Sequence, residues 1–299
     1  MPTQPAILLN ATSGAGDKNP VRERLAAILP GARTFLAHDG GELADLAGRA
    51  AQEGCDPLIA GGGDGTINTV ATVALAADRR LGVLPLGTFN HFAKDLGLPL
   101  DLEAAARVCV AGHETRVDVG EVNGHLFLNN SSLGLYPTLV RLRERRQERH
   151  GKALAVLAAG LAVLRRYPFL DVRLEVDGRE LFRRTPFVFI GNNEYEMESF
   201  RLGARSCLDA GRLSLYVAHR TGRLGLLRLT FRALFGGLRE QHDFDALSCS
   251  TEIRVETPQP RLSVANDGEV MLLEAPLRYR VRPRALRVLV PAPSAPAGW

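Results

Sequence analysis

The first 120 residues alternate short apolar runs with longer segments in which apolar residues recur every three or four positions. Such alternation is typical of a parallel sheet flanked by helices, because buried parallel strands are continuously apolar and the helices between them are amphipathic. The runs that predict strands are AILLN (6–10), ARTFLA (32–37), PLIAG (57–61) and GVLPL (82–86). The pattern therefore predicts a Rossmann-like α/β domain over residues 1–120.

From about residue 115 the pattern changes to strands with a period of two, which is typical of antiparallel sheets with one buried face. An Asn-Gly pair at 123–124 and an Asp-Gly pair at 177–178 are strong signals for two-residue hairpin turns. We therefore expect a β-rich, antiparallel sandwich as a second domain over residues 121–290. In this interpretation its last strands return to or near the first domain.

Two segments of the second domain, at 138–167 and 221–239, are predicted to be helical insertions. The first contains the longest uncharged apolar run, ALAVLAAGLAVL (153–164), whose 12 residues fall short of the ~20 that span a bilayer. No transmembrane segment is therefore predicted. A stripe of leucine, phenylalanine and arginine at 223–240 predicts an amphipathic helix that either packs on its own domain or lies in an anionic membrane interface. The Pro- and Ala-rich tail, 291–299, is predicted to be disordered.

The chain of 299 residues carries 37 Lys and Arg against 33 Asp and Glu, a formal net charge of +4. This mild excess suits anionic partners such as nucleotides or an acidic membrane surface, and no feature indicates nucleic acid binding. No GxxxxGK[ST] motif occurs, so P-loop chemistry is not expected. The four cysteines are isolated, without a CxxC pair, and no secretory signal is recognised. We therefore expect reduced thiols in a cytoplasmic protein.

Three strands of the first domain are followed by polar, glycine-bearing turns, namely NATSGAG, GGGDGT and GTFNHFAKDLG. The carboxyl ends of parallel strands meet at one edge of a sheet, so these turns are expected to share a crevice. Glycines there allow backbone N–H groups to approach a phosphate, although a tight turn without a ligand is the alternative. Asp64 is the unexpected residue, because a carboxylate about 4 Å from a phosphate charge is repelled by ~4 kcal/mol at an effective dielectric of ~20. Some other interaction must offset that repulsion.

Four motifs in this order resemble the catalytic domain of the diacylglycerol kinase family, which includes bacterial lipid kinases and sphingosine and ceramide kinases. The family pattern is an N-P-x-S-G turn, a GGDGT loop, a P-x-G-T-x-N turn and a late D-G-E. The resemblance spans about residues 6–290. The matching residues are Asn10 with Ser13-Gly14, Gly62 to Thr66, Pro85 to Thr88 with Asn90, and Asp267-Gly268-Glu269.

This resemblance implies a kinase that uses ATP and Mg²⁺ to phosphorylate a lipid hydroxyl in a cleft between the two domains. Glu269 is then the candidate general base, and Asp267 orients it or helps to hold metal. Asp64 is neutralised by Mg²⁺ or polarises the incoming hydroxyl. The reverse assignment, with Asp64 as the base and Glu269 as a nucleotide or metal partner, stays open, as does a plain hairpin turn at 265–270.

The resemblance also implies a nucleotide site built from the three turns and the late glutamate. The predicted contacts are Asn10, Ala11, Thr12, Ser13, Gly14, Gly62, Gly63, Asp64, Gly65, Thr66, Ile67, Asn68, Thr69, Gly87, Thr88, Asn90 and Glu269. The metal ligands are not identified. The expected acceptor is diacylglycerol or a similar lipid, reached by peripheral attachment to the inner face of the membrane. A homodimer is left open.

Several residues depart from the family pattern. His91 replaces an aspartate, and Ala210 stands where some bacterial relatives have the aspartate of a D-G-x-L turn that holds a structural Mg²⁺. These departures favour a rival interpretation, a nucleotide or lipid sensor without catalysis. A second rival is an enzyme like NAD kinase, which shares the GGDG string. The N-E pair expected for its nucleoside occurs only at 193–194, about 130 residues beyond Asp64.

Overall fold

The structure is a computed structural model, and it describes residues 4–11, 19–134, 169–195, 205, 207–218 and 244–292. The chain divides into two compact units. The first consists of Met1–Val119 with Pro283–Trp299, and the second is Gly120–Arg282. The segments predicted as helical insertions, the amphipathic stretch at 223–240 and most of the tail lie outside the described residues.

The first unit alternates strands and helices. Its elements are β1 (Ala6–Asn10), α1 (Asn19–Ile28), β2 (Arg33–Ala37), α2 (Gly40–Gln52), β3 (Leu58–Gly62), α3 (Asp64–Ala76), β4 (Leu81–Pro85), α4 (His91–Asp95), α5 (Leu102–Ala111), most of β5 (His113–Val122) and the end of β16 (Leu277–Val290). Its strand order is β2-β1-β3-β4-β16, with β5 beside β16. The strands β1 to β4 pair in parallel. The predicted Rossmann-like α/β fold is confirmed.

The helices of this unit begin and pack as their sequences dictate. Asp39 and Asp101 are the N-caps of α2 and α5, since each side chain accepts a hydrogen bond from a backbone N–H of the first turn. One face of the sheet, which includes Leu9 and Ile59, packs against α1 and α5 around Leu25. The α2 and α3 helices contact each other and the strands β1 and β3. The sheet is therefore held between two helical layers.

The second unit is built from antiparallel strands. Besides the end of β5 and the start of β16, they are β6 (His125–Phe127), β7 (Asn130–Gly134), β8 (Leu170–Val176), β9 (Arg179–Thr185), β10 (Phe187–Asn192), β11 (Leu213–Ala218), β12 (Phe244–Ser250), β13 (Glu252–Glu256), β14 (Arg261–Asn266) and β15 (Glu269–Glu274). One sheet has the order β16-β13-β8-β9 and the other β12-β11-β10-β7-β14-β15. The predicted antiparallel sandwich is confirmed.

The two sheets of the second unit enclose an apolar core. Strand β8 shows why, because its residues alternate strictly between buried and exposed. Both sheets contribute buried side chains to the core, including Leu133 and Ile190 from one sheet and Leu174 and Val255 from the other. Within the described residues, no helix is both long enough and apolar enough to pass through a bilayer.

A polar contact between Ser131 and Tyr279 joins the two sheets inside this core. The Ser131 and Tyr279 hydroxyls lie 3.1 Å apart, and both residues are fully buried. Burial raises the pKa of the Tyr279 phenol, an effect that its hydrogen bond with Ser131 only partly opposes, so the phenol stays neutral. The contact satisfies two hydroxyls that water cannot reach.

We expect Tyr279→Phe to lower the free energy of unfolding by about 1–3 kcal/mol, because it leaves the Ser131 hydroxyl buried without its partner. Ser131→Ala should cost a similar amount. The double variant should cost much less than the sum, since it removes both polar groups. Urea denaturation of all four proteins measures these energies, and additive single effects would contradict the interpretation.

Candidate functional site

Three strands of the first unit end side by side at one edge of its sheet. Leu9 pairs with Gly61 and Gly62 pairs with Pro85, so the carboxyl ends of β1, β3 and β4 are neighbours. The Asn10 side-chain amide donates a hydrogen bond to the Thr66 hydroxyl at 3.2 Å. The end of β1 is thus tied to the first turns of α3. The predicted contacts Thr12, Ser13 and Gly14 lie outside the described residues.

The two glycines that end β3 and the glycine that follows β4 have a packing reason that the sequence does not reveal. A Cβ on Gly62 would lie 2.4 Å from the Thr66 hydroxyl, and a Cβ on Gly61 would lie 2.4 Å from a Leu9 methyl carbon. A Cβ on Gly87 would lie 2.4 Å from the Gly63 Cα. Side chains at Gly61, Gly62 and Gly87 are therefore excluded by the protein itself, before any ligand is considered.

Gly63 is the N-cap of α3 and has no side chain with which to cap it. The first N–H groups of any α-helix lack an acceptor within the helix, and the partial positive charge at this end attracts anions. Among the predicted contacts on α3, Ile67 is fully buried and its N–H donates to the Gly63 carbonyl. The Thr69 hydroxyl donates to the Gly65 carbonyl. The Ile67 side chain is therefore part of the core, and the Thr69 hydroxyl is bonded within the helix.

The turn after β4 is folded around the side chain of Asn90. Its Oδ1 accepts the Gly87 N–H at 2.9 Å, and its Nδ2 donates to the Gly87 carbonyl at 2.9 Å and to the Pro85 carbonyl at 3.3 Å. Asn90 is buried and has a positive φ of 53°, a conformation that asparagine tolerates better than most residues. Its amide therefore builds the turn, and the nucleotide contact of Asn90 stays a prediction.

Asp64, the first residue of α3, bonds to the start of another helix. Its Oδ2 accepts the His91 N–H at 3.3 Å, and its Oδ1 accepts the Phe92 N–H at 3.2 Å. These are backbone donors of the first turn of α4, where charge-assisted hydrogen bonds to a carboxylate are favourable. The interaction that offsets the unusual charge of Asp64 is thus supplied by the protein.

The turn also presents an aromatic pair. The Phe89 and His91 rings stack nearly parallel, with centroids 5.5 Å apart and planes inclined by 6°. Phe89 is 48% exposed, and Thr88 beside it is exposed as well. The outer part of this turn is therefore open to solvent, while Asn90 at its base is buried.

The late carboxylates belong to the second unit. Asp267 and Gly268 form the two-residue turn between β14 and β15, and Asp267 has a φ of 47°. Its carboxylate accepts three backbone N–H groups, from Leu128 at 2.7 Å, Asn129 at 2.8 Å and Asn130 at 3.0 Å. The predicted catalytic side chain Asp267 therefore anchors the hairpin to the segment before β7.

Glu269 is the first residue of β15 and is exposed. It pairs with Asn266 across the turn, so its backbone position is fixed by the hairpin that Asp267 anchors. Asp64 belongs to the first unit and the Asp267–Glu269 turn to the second. Within the second unit, Glu269 is the D-G-E carboxylate on the solvent side.

A buried arginine, Arg205, also bonds to the segment before β7, and the sequence analysis did not identify it. One terminal nitrogen of Arg205 donates to the Leu128 carbonyl at 2.7 Å and to the Asn192 carbonyl at 2.9 Å, and the other donates to Asn129 Oδ1 at 3.1 Å. Residues 128–129 are thus bound on one side by a carboxylate, Asp267, and on the other by a guanidinium. Only the neighbouring asparagines at 129–130 and 192–193 hinted at this polar cluster in the sequence.

The turn at the position of the family's structural metal is closed by a hydrogen bond. The Ala210 N–H donates to Asn193 Oδ1 at 3.1 Å. Nowhere in the described ranges do three or more His, Cys, Asp or Glu side chains group in a way that could hold a metal ion. The described residues therefore do not fit a resident metal at this turn.

Comparisons with known proteins agree on both halves of the chain. The family model described as "Diacylglycerol kinase catalytic domain" matches residues 4–122, and the model described as "YegS C-terminal NAD kinase beta sandwich-like domain" matches residues 136–290. A diacylglycerol kinase of Staphylococcus aureus strain MRSA252 is 29% identical over 72% of this chain and 70% of its own length. One from Staphylococcus saprophyticus is 31% identical over 60% of each chain.

Solved structures resemble the whole fold. A putative diacylglycerol kinase from Bacillus anthracis superposes with a TM-score of 0.74 at 23% identity, covering 98% of both chains. Another from the same organism gives a TM-score of 0.69 at 22% identity, covering 98% of this chain and 97% of the other. At such identities the likeness shows the fold alone.

The three bonds of Asp267 predict a large stability effect. Asp267→Ala should lower the free energy of unfolding by about 3 kcal/mol or more, because three N–H groups at buried or half-buried residues lose their acceptor. Asp177→Ala is a matched control, since Asp177 also precedes a hairpin glycine, has a φ of 50° and accepts one hydrogen bond from Ser250. Urea denaturation compares the two, and equal losses would show that the turn conformation alone decides.

Proposed function

We propose that this chain, which belongs to the diacylglycerol kinase catalytic-domain family, is a lipid kinase that transfers the γ-phosphate of ATP to a lipid hydroxyl. Diacylglycerol is the first acceptor to test, because the curated relatives carry that name. One observation carries the proposal: Asn10, the start of α3 and the Pro85–Asn90 turn lie at a single edge of the sheet of the first unit.

The start of α3 suits the phosphates of a nucleotide. Its first-turn N–H groups follow Gly63, which carries no side chain, and the helix dipole adds partial positive charge. Phosphoryl transfer requires positioning and charge stabilisation more than covalent chemistry. We assign the nucleotide to Asn10, the residues Gly62–Thr66 and the outer part of the turn at Thr88.

Mg²⁺ enters this proposal with the nucleotide. Since Asp64 and Asp267 already accept backbone hydrogen bonds and the described residues hold no metal cluster, we place the ion on the phosphate oxygens of ATP. Bound there, Mg²⁺ supplies charge neutralisation to the transferring phosphoryl group. The protein's contribution is to hold the phosphates and the acceptor.

Glu269 is our candidate for the general base. In the reaction the acceptor oxygen forms a bond to the γ-phosphorus, the bond from that phosphorus to the ADP oxygen breaks, and the acceptor proton passes to the carboxylate. Such a base must be ionised and come within about 3 Å of the hydroxyl. Glu269 is exposed at the start of its strand, and Asp267 holds the hairpin that carries it.

The acceptor is a membrane lipid in this proposal, so we expect a cytoplasmic protein that works at the inner face of the membrane. The name of the relatives, diacylglycerol kinase, supports a lipid acceptor. An excess of basic over acidic residues, 37 against 33, fits an anionic surface.

Purified protein should phosphorylate diacylglycerol in mixed micelles with ATP and Mg²⁺, as measured by radiolabelled phosphate in the lipid fraction. Glu269→Gln should lower kcat by about 10²–10⁴-fold, because the base is lost while the shape is kept. Glu274→Gln should leave kcat unchanged. Glu274 is an exposed glutamate at the other end of the same strand, paired with Arg261 at 3.3 Å.

The same assay separates the rival functions. Transfer to NAD in place of lipid would favour an NAD kinase-like enzyme, and nucleotide binding without transfer to any acceptor would favour a sensor. Full activity of Glu269→Gln would refute the assignment of the base while leaving the kinase in place.

A further inference from the structure

We propose that Asp64 is a positioning residue: its carboxylate holds the Pro85–Asn90 turn and α4 against the start of α3, and it does not serve as the proton acceptor. This inference rests on the proposed nucleotide site, and it explains how the turns that form that site are held in place. It resolves the alternative that the sequence leaves open between Asp64 and Glu269.

Both oxygens of the Asp64 carboxylate are engaged with α4. Oδ1 accepts the Phe92 N–H and Oδ2 accepts the His91 N–H, at 3.2 and 3.3 Å. A general base needs an oxygen directed at the hydroxyl that it deprotonates. The Asp64 oxygens are directed instead at a helix start whose own N-cap residue, Asn90, makes no side-chain capping bond.

The two turns that Asp64 connects already touch through their backbones. The Leu86 N–H donates to the Gly62 carbonyl at 3.1 Å, and Gly87 packs so close to Gly63 that a Cβ on Gly87 would lie 2.4 Å from the Gly63 Cα. Asn90 then fixes the shape of the second turn from inside. Asp64 adds the two bonds that fasten the far end of that turn.

The buried side chain of Phe92 connects the two Asp64 bonds to the proposed nucleotide site. Its side chain is 1% exposed, so α4 is anchored in the core next to the exposed Thr88 and Phe89. Without the carboxylate, the N–H groups of His91 and Phe92 lose their acceptor at this anchor. We expect the turn to loosen and the nucleotide affinity to fall, while proton transfer by Glu269 persists.

Hydrogen exchange tests the local effect without any need for turnover. In Asp64→Ala, peptides covering residues 86–95 should exchange about tenfold faster or more, because the opening of this segment becomes easier. Asp64→Asn should show a smaller increase, since one amide oxygen replaces two acceptors. Should the alanine variant fail to fold, the asparagine variant carries the test alone.

Asp101→Ala is the matched control. Asp101 is also an aspartate of the first unit that accepts a backbone N–H at a helix start, that of Ala104 at 2.9 Å. This change should destabilise α5 and leave both the exchange of residues 86–95 and the ATP affinity unaltered. Glu269→Gln should likewise leave that exchange unaltered.

The kinetic arm distinguishes a positioning residue from a base. Asp64→Asn should raise the KM for ATP about tenfold and keep the acid limb of the pH profile of kcat, which Glu269→Gln should abolish. Loss of the acid limb in Asp64→Asn, or unchanged exchange in Asp64→Ala, would overturn the inference. If wild-type protein transfers no phosphate to lipid, the proposed function fails, but exchange and ATP binding still decide the role of Asp64.

Discussion

The bonds from the Asp64 carboxylate to the N–H groups of His91 and Phe92 hold together the turns at the strand ends of the first unit, where we propose the nucleotide site. A carboxylate near a phosphate is repelled by ~4 kcal/mol at an effective dielectric of ~20. Hydrogen bonds to a charged group contribute about 1.5–3 kcal/mol each, before screening by solvent, so two of them are of the same order. The charge is tolerated because the protein uses it to join two helix starts.

In the second unit the Asp267 carboxylate likewise accepts backbone hydrogen bonds, from three N–H groups where Asp64 accepts two. Its donors lie about 138 positions earlier in the chain, beyond the range of any local pattern. An Asp beside a glycine looks the same in sequence whether it faces a ligand, caps a helix or closes a hairpin. The sequence analysis could therefore select these aspartates as important but could not say what they touch.

Local patterns were sufficient for most of the fold. The strands predicted at 6–10 and 82–86 match β1 and β4 to within a residue, because buried parallel strands are continuously apolar. The Asp-Gly pair at 267–268 forms the plain hairpin turn that the sequence analysis left open, and it is also part of the family's D-G-E motif. The features that the sequence could not reveal depend on tertiary packing. Examples are the space that Gly62 leaves for the Thr66 side chain and the hydrogen bonds from Arg205 to residues 128–129.

The proposed roles of the three acidic candidates follow from where the structure places their side chains. Asp64 and Asp267 each accept backbone N–H groups, whereas Glu269 is exposed and directly follows the turn that Asp267 anchors. Asp64 and Asp267 thus fix backbone conformation. The position of Glu269 is fixed in turn by the hairpin that Asp267 anchors. Replacing either aspartate would therefore reduce activity without identifying a base, so loss of activity alone cannot assign chemistry in this fold. Only a measurement that follows the proton separates the proposed base, Glu269, from the two aspartates, each of which holds backbone within its own unit.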